Sequence, residues 1–265
     1  MFKIALYLLI AVVLAIFLLP FFYTVSPYDL DPTRILQAPS LEHLFGTDRL
    51  GRDMLARILE GGQTSLIIGF LAASISSIIG LFIGINAGYF KGNIDKTITI
   101  MIDLFLTFPT FFLLLALVSY IQASALILII VISVTGWMGM ARMIRSESFA
   151  IGNKPFIKIL KVANVSNFKI IFKYFAPLLA PIFLISFTFG VGGAILAESG
   201  LSFLGLGVNP PSMSWGSLLS DGKAVIDIAW WVSFFPGLMI FLITFCLIQI
   251  SDYLQTLANA KEIIA

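Results

Sequence analysis

The chain has 265 residues, of which 59% are hydrophobic and 11% are charged, and its mean hydropathy is +1.04. Soluble domains carry about 25% charged residues, so this composition excludes a water-soluble globular protein. A formal net charge of +2 gives no indication of nucleic-acid binding. The single Cys246 and the single His43 exclude an internal disulfide and a zinc site built from these residue types, and we expect His43 to be a solvated loop residue.

Six apolar runs are long enough to cross a bilayer as helices, which takes about 20 residues each. The first run follows Lys3 and lacks a small-residue cleavage site, so we expect a retained span rather than a signal peptide. The charge-free stretch 104–141 would measure roughly 57 Å as one helix, so it must turn, near Ser119–Ser124. The predicted spans are Ile4–Val25, Thr64–Gly88, Thr97–Tyr120, Ala125–Ala141, Ile171–Ala197 and Ile228–Ser251.

The orientation follows from the positions of the basic residues. The insert Arg142–Lys173 holds seven of the sixteen Lys and Arg residues. Basic residues favour the cytoplasmic side of a membrane. If the N-terminus is cytoplasmic, eleven basic residues fall inside and five outside. We therefore predict that both termini are cytoplasmic.

The segment Thr24–Gln63 is too polar for a membrane and contains the cluster Gly46–Asp53. Its glycines permit tight turns, and its acidic residues can pair with nearby arginines, for example Asp53 with Arg57 at i, i+4. We expect a structural turn followed by a short interfacial helix, Met54–Leu59. A direct contact with substrate is the alternative.

Asp103 is the only acidic residue well inside an apolar run. Ionisable residues within a membrane are expensive and indicate function by default. Two interpretations stay open, a structural pair with Arg142 or Arg145, and a proton or ion relay. The sequence offers no second buried acid or histidine to complete a relay, so we favour the structural pair.

A glycine-punctuated apolar segment follows the fifth span, from Glu198 to Gly207. We interpret it as an interfacial or re-entrant segment at the outer mouth of a pathway, because irregular backbone at that depth needs protein or water around it. A loop lying on the surface is the alternative. We expect Trp215, Trp230 and Trp231 to form an outer aromatic belt.

The basic insert contains a short amphipathic helix. Asn153 is its predicted N-cap and Pro155 lies in its first turn. The apolar stripe, at i, i+3, i+4 and i+7, consists of Phe156, Ile159, Leu160 and Ala163. Such a helix either lies in the lipid headgroups or seats its stripe in a groove of a soluble partner.

From about residue 40 onward, the chain resembles the membrane permease of ABC importers for dipeptides, oligopeptides and nickel, specifically the C-type permease. The resemblance rests on His43-Leu-Phe-Gly-Thr-Asp-Arg-Leu-Gly-Arg-Asp53, Gly88-Tyr-Phe-Lys-Gly-Asn-Ile-Asp95, Asp103, Phe108-Pro109, Trp137, Ala141-Arg142, Arg145, Glu198–Pro211, Ser214-Trp-Gly216 and Phe235-Pro-Gly237. It implies an all-α integral membrane fold like that of type I ABC importers. Six transmembrane helices and a cytoplasmic coupling helix, at about residues 154–166, belong to that fold.

The family signature in the coupling helix is Glu-Ala-Ala, three further residues and Gly. Lys158, Ile159, Leu160 and Asn164 occupy these positions, and each differs from the family residue. Asn164 tolerates left-handed backbone better than most residues, so we expect the turn to be kept. The residues implied to contact an ATPase are Phe156, Lys158, Ile159, Leu160, Ala163 and Asn164.

The resemblance also implies partners and a location. It implies a second homologous permease, two ATP-binding subunits that carry ATP and magnesium, and an extracytoplasmic substrate-binding protein, all at the bacterial inner membrane. The implied contacts of the binding protein are Asp48, Arg49, Arg52 and Asp53. The implied lining of the outer mouth is Glu198, Leu201, Phe203 and Leu204.

The chain itself has no phosphate-binding Gly-x-x-x-x-Gly-Lys-Ser/Thr string, so we expect a non-catalytic subunit without its own cofactor or metal. We divide it into an N-terminal helix and outer loop, residues 1–63, and a core permease domain, residues 64–265. The expected function is half of a translocation pathway for di- and oligopeptides. Nickel or a nickel chelate is the alternative substrate, and an ion-coupled secondary carrier is the alternative class.

Overall fold

The computed structural model describes residues 2–121 and 123–264, and of residues 260–264 it describes the backbone only. Those described residues form helices and connections without a β-strand. The helices are α1 (Phe2–Leu18), α2 (Met54–Phe90), α3 (Gly92–Leu106), α4 (Thr110–Val118), α5 (Ala125–Gly152), α6 (Pro155–Val162), α7 (Asn167–Ile170), α8 (Ala176–Phe203), α9 (Trp215–Lys223) and α10 (Trp231–Ile264).

The predicted all-α membrane fold is confirmed. Five helical segments are long and apolar enough to cross a membrane, and α3 with α4 adds a sixth crossing if the pair is one span. The predicted turn between the third and fourth spans lies where α4 ends and α5 begins, and Ser124 caps α5 by accepting from the Ile127 N–H at 3.3 Å. Gln122, within this turn, lies outside the described residues.

Two helices extend beyond the ends of the apolar runs that predict them. α2 begins at Met54, so residues 54–63 form its first turns rather than a separate interfacial helix. α5 continues to Gly152, so Arg142 and Arg145 lie on the span rather than in a loop. Charged residues end an apolar run in the sequence, but a helix ends only where its backbone hydrogen bonds end.

The fifth predicted span is also longer than expected. A five-residue π-helical segment, Ile171–Phe175, joins α7 to α8, and α8 continues through Glu198 to Phe203. The prediction of an irregular segment from Glu198 is therefore wrong for its first six residues. The chain leaves the helix only at Leu204, where Gly205 has a positive φ of 82°.

The third predicted span is not one straight helix. The axes of α3 and α4 differ by 78° across a break at residues 107–109. Pro109 explains the break, because proline lacks an N–H donor and disfavours helical backbone at the residue before it. The backbone therefore leaves the helix in the middle of an apolar segment.

Helices α2 and α5 pack closely along a stripe of small residues on α2. The stripe repeats every fourth residue and consists of Ala72, Ser76, Gly80, Gly84 and Gly88. A Cβ at Gly84 would lie 2.7 Å from the Ala141 carbonyl oxygen, and one at Gly88 would lie 2.6 Å from the Arg145 carbonyl oxygen. Close approach of this kind drives helix association in lipid, where burial of apolar surface gives little.

We predict that Gly84→Leu reduces the amount of folded protein strongly, because the new side chain would collide with the backbone of α5. Overpacking costs about 1–3 kcal/mol where neighbours can move, and a backbone carbonyl moves little. The measurement is the yield of monodisperse protein after detergent extraction. Gly193→Leu in α8 is the matched control, since an added Cβ there meets nothing within 4 Å. Equal yields of the two variants would contradict the packing argument.

Candidate functional site

Helix α6 lies at one end of the bundle and presents apolar side chains outward. Ile157 is fully buried, whereas Ile159 and Val162 are 67% and 84% exposed. The N-cap is Lys154 and not the predicted Asn153, which instead caps the C-terminus of α5. α6 is therefore anchored on one face and free on the other.

The predicted coupling residues divide between these two faces. Leu160 is half-buried and packs against the cluster that contains Ile157. The exposed members of the set are Phe156, Lys158, Ile159, Ala163 and Asn164. We name the side chains of Phe156, Ile159 and Val162 the α6 surface.

Asn164 terminates α6 in a left-handed conformation, with φ of 54°. Its N–H donates to the Lys161 carbonyl at 3.1 Å, and the Val165 N–H donates to the Leu160 carbonyl at 3.1 Å. These two bonds form a Schellman motif, in which glycine is the usual left-handed residue. The expectation that asparagine keeps the turn is confirmed.

The base of α6 is attached to the neighbouring helices. Ile157 packs with Ile144 of α5 and with Phe175, just before α8. The Tyr89 hydroxyl of α2 donates to Asn167 Oδ1 at 2.7 Å, and Lys161 Nζ lies 4.2 Å from the centre of the Tyr89 ring. Burial, followed by the nearby charge of Lys91, lowers the pKa of Lys161. α6 is therefore connected to three long helices, α2, α5 and α8.

Asp53 begins α2 at the opposite end of the bundle. One of its oxygens accepts from the Ala56 N–H at 2.9 Å, and the other accepts from the Tyr23 hydroxyl at 3.0 Å and lies 2.8 Å from His43 Nδ1. Burial and the Asp53 charge raise the pKa of Tyr23 to about 12. The prediction that His43 is solvated is wrong, because folding buries it against Asp53.

Arg57 links α2 to α9. Its guanidinium lies 3.2 Å from the Asp48 carboxylate and 3.1 Å from the Asp221 carboxylate. Arg52 Nε donates to the same Asp48 at 2.7 Å. The predicted i, i+4 pair of Arg57 with Asp53 is replaced by these contacts, since Asp53 is already occupied as the cap.

The four predicted contacts of a binding protein differ in exposure. Asp48 and Asp53 are each 3% exposed and serve the turn itself. Arg49 is exposed and Arg52 is half-buried, and both line an open cavity of about 900 Å³ between this loop and residues 205–213. Only the two arginines present charge that a partner can reach.

Glu198 is fully buried and is held by serine hydroxyls. Ser65 Oγ donates to one carboxylate oxygen at 3.0 Å and Ser202 Oγ donates to the other at 2.6 Å. Ser65 in turn accepts from the Trp215 N–H at 3.1 Å, and Ser202 accepts from Ser214 Oγ at 3.2 Å. Both serines thus connect the carboxylate to the N-terminus of α9, whose positive end favours negative charge.

The predicted lining of the outer mouth also divides by burial. Leu201 is fully buried beside Glu198, Phe203 is half-buried and Leu204 is 54% exposed. A lining role is therefore left to Phe203 and Leu204 in this conformation.

The predicted aromatic belt is wrong for two of its three members. Trp215 and Trp231 are buried, and their indole N–H groups donate to the carbonyls of Ile58 and Thr47 at 3.0 and 3.1 Å. Trp230 is 52% exposed, as a belt residue would be. Trp215 fixes α9 onto the start of α2, and Trp231 fixes the loop at Thr47 onto the start of α10. Nothing in the local sequence pattern distinguishes these tryptophans from interfacial ones.

Two ion pairs join α3 to α5. Arg142 donates to Asp103, and Arg145 donates to Asp95, with an Nη2–Oδ2 distance of 2.9 Å. The structural partner predicted for Asp103 is therefore present, and it is Arg142. Asp95 and Arg145 both belong to the strings that carry the family resemblance, but only the fold shows that they pair with each other.

A bundle of membrane-length helices with an exposed amphipathic helix at one end defines a multi-pass membrane subunit. Across residues 2–121 and 123–264, no group of three metal-ligating side chains comes together.

Residues 77–261 match the family described as the inner membrane component of binding-protein-dependent transport systems. The chain belongs to this family, and it is a non-catalytic permease subunit of an ABC transporter in the inner membrane. The backbone resembles that of inward-facing conformations of the MetNI methionine ABC transporter, with a TM-score of 0.60 and 16% identity over 76% of this chain and 97% of that one. That likeness supports the fold alone.

Several curated relatives cover most of the chain. The oligopeptide transport system permease protein OppC of Haemophilus influenzae is 34% identical over 260 residues, 97% of this chain and 84% of the relative. OppC of Mycobacterium tuberculosis is 38% identical, over 86% and 78%. The dipeptide transport system permease protein DppC of Alkalihalophilus pseudofirmus is 36% identical, over 94% and 82%.

We predict that Asn164→Gly leaves the end of α6 intact, whereas Asn164→Val destabilises it by about 1–2 kcal/mol, because a β-branched residue resists positive φ. The measurement is hydrogen exchange at the amides of residues 164 and 165. Exchange should accelerate in the valine variant and remain slow in the glycine variant. Equal exchange in both variants would contradict a role of the left-handed turn.

Proposed function

We propose that this chain is one half of the translocation pathway of an ATP-driven importer for di- and oligopeptides. The observation that carries the proposal is the near full-length similarity to permeases named for oligopeptide and dipeptide transport. These names favour peptides over the nickel alternative. Family membership favours an ATP-driven importer over an ion-coupled carrier. The pairing of Asp103 with Arg142 favours a structural role of this acid over a relay.

We place the α6 end in the cytoplasm, as the basic insert predicts. There the α6 surface would dock onto an ATP-binding subunit. Its exposed apolar side chains support this assignment, because large apolar groups on a free helix face are typical of interaction sites. Lys154 and Lys158 flank the surface and add positive charge that would select an acidic rim on the partner.

Closure of two ATP-binding subunits would push α6, and the buried Ile157 would pass the displacement to α5 and α8. Because packed helices move as rigid bodies, the two permeases would open alternately to each side. At the other end, Arg49 and Arg52 are the proposed contacts for a substrate-binding protein. Phe203 and Leu204 are the proposed lining of the outer mouth.

We predict that Ile159→Asp abolishes transport while the amount of membrane-inserted protein is unchanged, because the carboxylate would face the apolar seat on the partner. Ile157→Asp should instead reduce the amount of protein, since a carboxylate would be buried within the chain. Peptide uptake and immunoblotting of the assembled importer separate the two effects. Leu41→Asp, at the other end and 97% exposed, is the control for the change in side-chain chemistry. Normal uptake by Ile159→Asp at normal protein amounts would refute docking.

The energy source gives a separate test of the class. Uptake of a labelled dipeptide by cells that express the complete importer should stop on ATP depletion. It should persist when the proton gradient is dissipated. The opposite result would identify an ion-coupled carrier.

A further inference from the structure

The ion pair of Asp103 with Arg142 is exposed within the apolar part of the bundle. The side chains are 58% and 53% exposed, whereas Asp95 and Arg145, on the same two helices, are 16% and 29% exposed. The contact of Gly84 with Ala141 and Ile144 puts Arg142 about 9 Å along α2 from its end at Phe90, at 1.5 Å per residue. Both residues belong to segments whose length and composition allow them to cross a membrane, α5 and the pair of α3 with α4, and we place the ion pair at membrane depth on that ground.

Exposed charged side chains at membrane depth indicate that they are in contact with water. Charged side chains in membrane segments face the bundle interior or an aqueous cavity, because lipid does not solvate them. Asp103 has a short side chain, so it reaches the headgroups less readily than a lysine would. The face of α3 and α5 that carries the pair is therefore the face of the pathway.

The break between α3 and α4 is independent evidence that this face of the bundle lines the pathway. It begins one turn after Asp103, and residues 107–109 are exposed although their backbone has left the helix. Non-helical backbone at membrane depth occurs only where protein surrounds it or where it lines water. Broken helices of this kind form substrate sites in other transporters.

The surface beside the pair has room for a ligand. Gly139 precedes Arg142 by three residues, on the same side of α5, and a Cβ added there would meet nothing within 4 Å. Ser146 follows on the same face and is also exposed. Small side chains therefore border the pair on the α5 side.

We propose that Asp103 and Arg142 form a substrate site in the pathway for zwitterionic peptides. The substrate ammonium pairs with Asp103 and the substrate carboxylate pairs with Arg142. Asp103 and Arg142 each exchange their mutual contact for a contact with the substrate, so neither charge is unpaired when the substrate binds or leaves. Such a site binds weakly enough to release its substrate, as a transport pathway requires. This assignment rests on the proposed peptide transport.

The test uses the complete importer with Cys246→Ser, which removes the only native thiol of this chain, and Gly139→Cys, and the labelling of this chain alone is measured. A water-soluble methanethiosulfonate reagent should label Gly139→Cys. Phe82→Cys is the control, because Phe82 is a large apolar side chain, 72% exposed on α2 close to Gly84, and we expect no labelling at such a surface. Dialanine should slow the labelling of Gly139→Cys, and N-acetyl-dialanine amide should not.

The pair itself is tested with Asp103→Asn and Arg142→Gln. Each should raise the dialanine concentration for half protection about tenfold, which corresponds to about 1.4 kcal/mol. Asp95→Asn, in the half-buried pair, is the matched control and should leave that concentration unchanged in the assembled complex. Failure of Gly139→Cys to react, equal protection by the blocked peptide, or unchanged protection in both Asp103→Asn and Arg142→Gln would each overturn the site.

Peptide uptake by the wild-type importer is measured in parallel. Uptake without protection at Gly139→Cys overturns the site and leaves the proposed function standing. Absence of uptake for every peptide overturns the proposed function, and the zwitterion assignment falls with it.

Discussion

The close contact between α2 and α5 is the constraint on which the other features depend. The glycine positions of α2 let its backbone meet the backbone of α5, and no larger residue fits at Gly84 or Gly88. α2 also carries the Asp53 cap and the Ser65 hydroxyl at one end and Tyr89 at the other. α5 carries both arginines of the ion pairs and leads into α6. The two helices therefore fix the distance and register between the two ends of the subunit.

The α9 end and the α6 end of the bundle are stabilised by different interactions. The end with α9 is held by buried polar contacts, in which Asp53, Arg57 and Glu198 satisfy caps and charges that apolar packing cannot reach. Buried polar groups are costly unless every partner is present, so such a network specifies one arrangement. The α6 end is held by apolar packing around Ile157, and the opposite face of α6 is exposed. A rigid end at α9 and an exposed helix α6 at the opposite end are the arrangement that the proposed transmission of movement requires.

Prediction from the sequence succeeded where one physical variable dominated. Hydropathy located the five segments that are long enough to cross a membrane and the region of the bent pair α3 and α4. The tolerance of asparagine for left-handed backbone predicted the turn at Asn164. It failed for His43, Trp215 and Trp231, which look like polar-loop and interfacial residues until the fold buries them. It also failed at Glu198, because no local pattern relates this residue to Ser65, 133 positions away. Pro109 favours a break, but the continuous apolar run around it predicted a single straight span.

The sequence by itself determined that the chain crosses a membrane repeatedly, where it turns, and that one basic segment forms an amphipathic helix. These properties follow from solvent preference and local backbone geometry, which each segment carries alone. The tertiary structure decided which charges meet, which face of α6 is free, and which of the two ion pairs between α3 and α5 is exposed. Those outcomes depend on the register between helices distant in sequence, which close packing sets only once the whole bundle has formed.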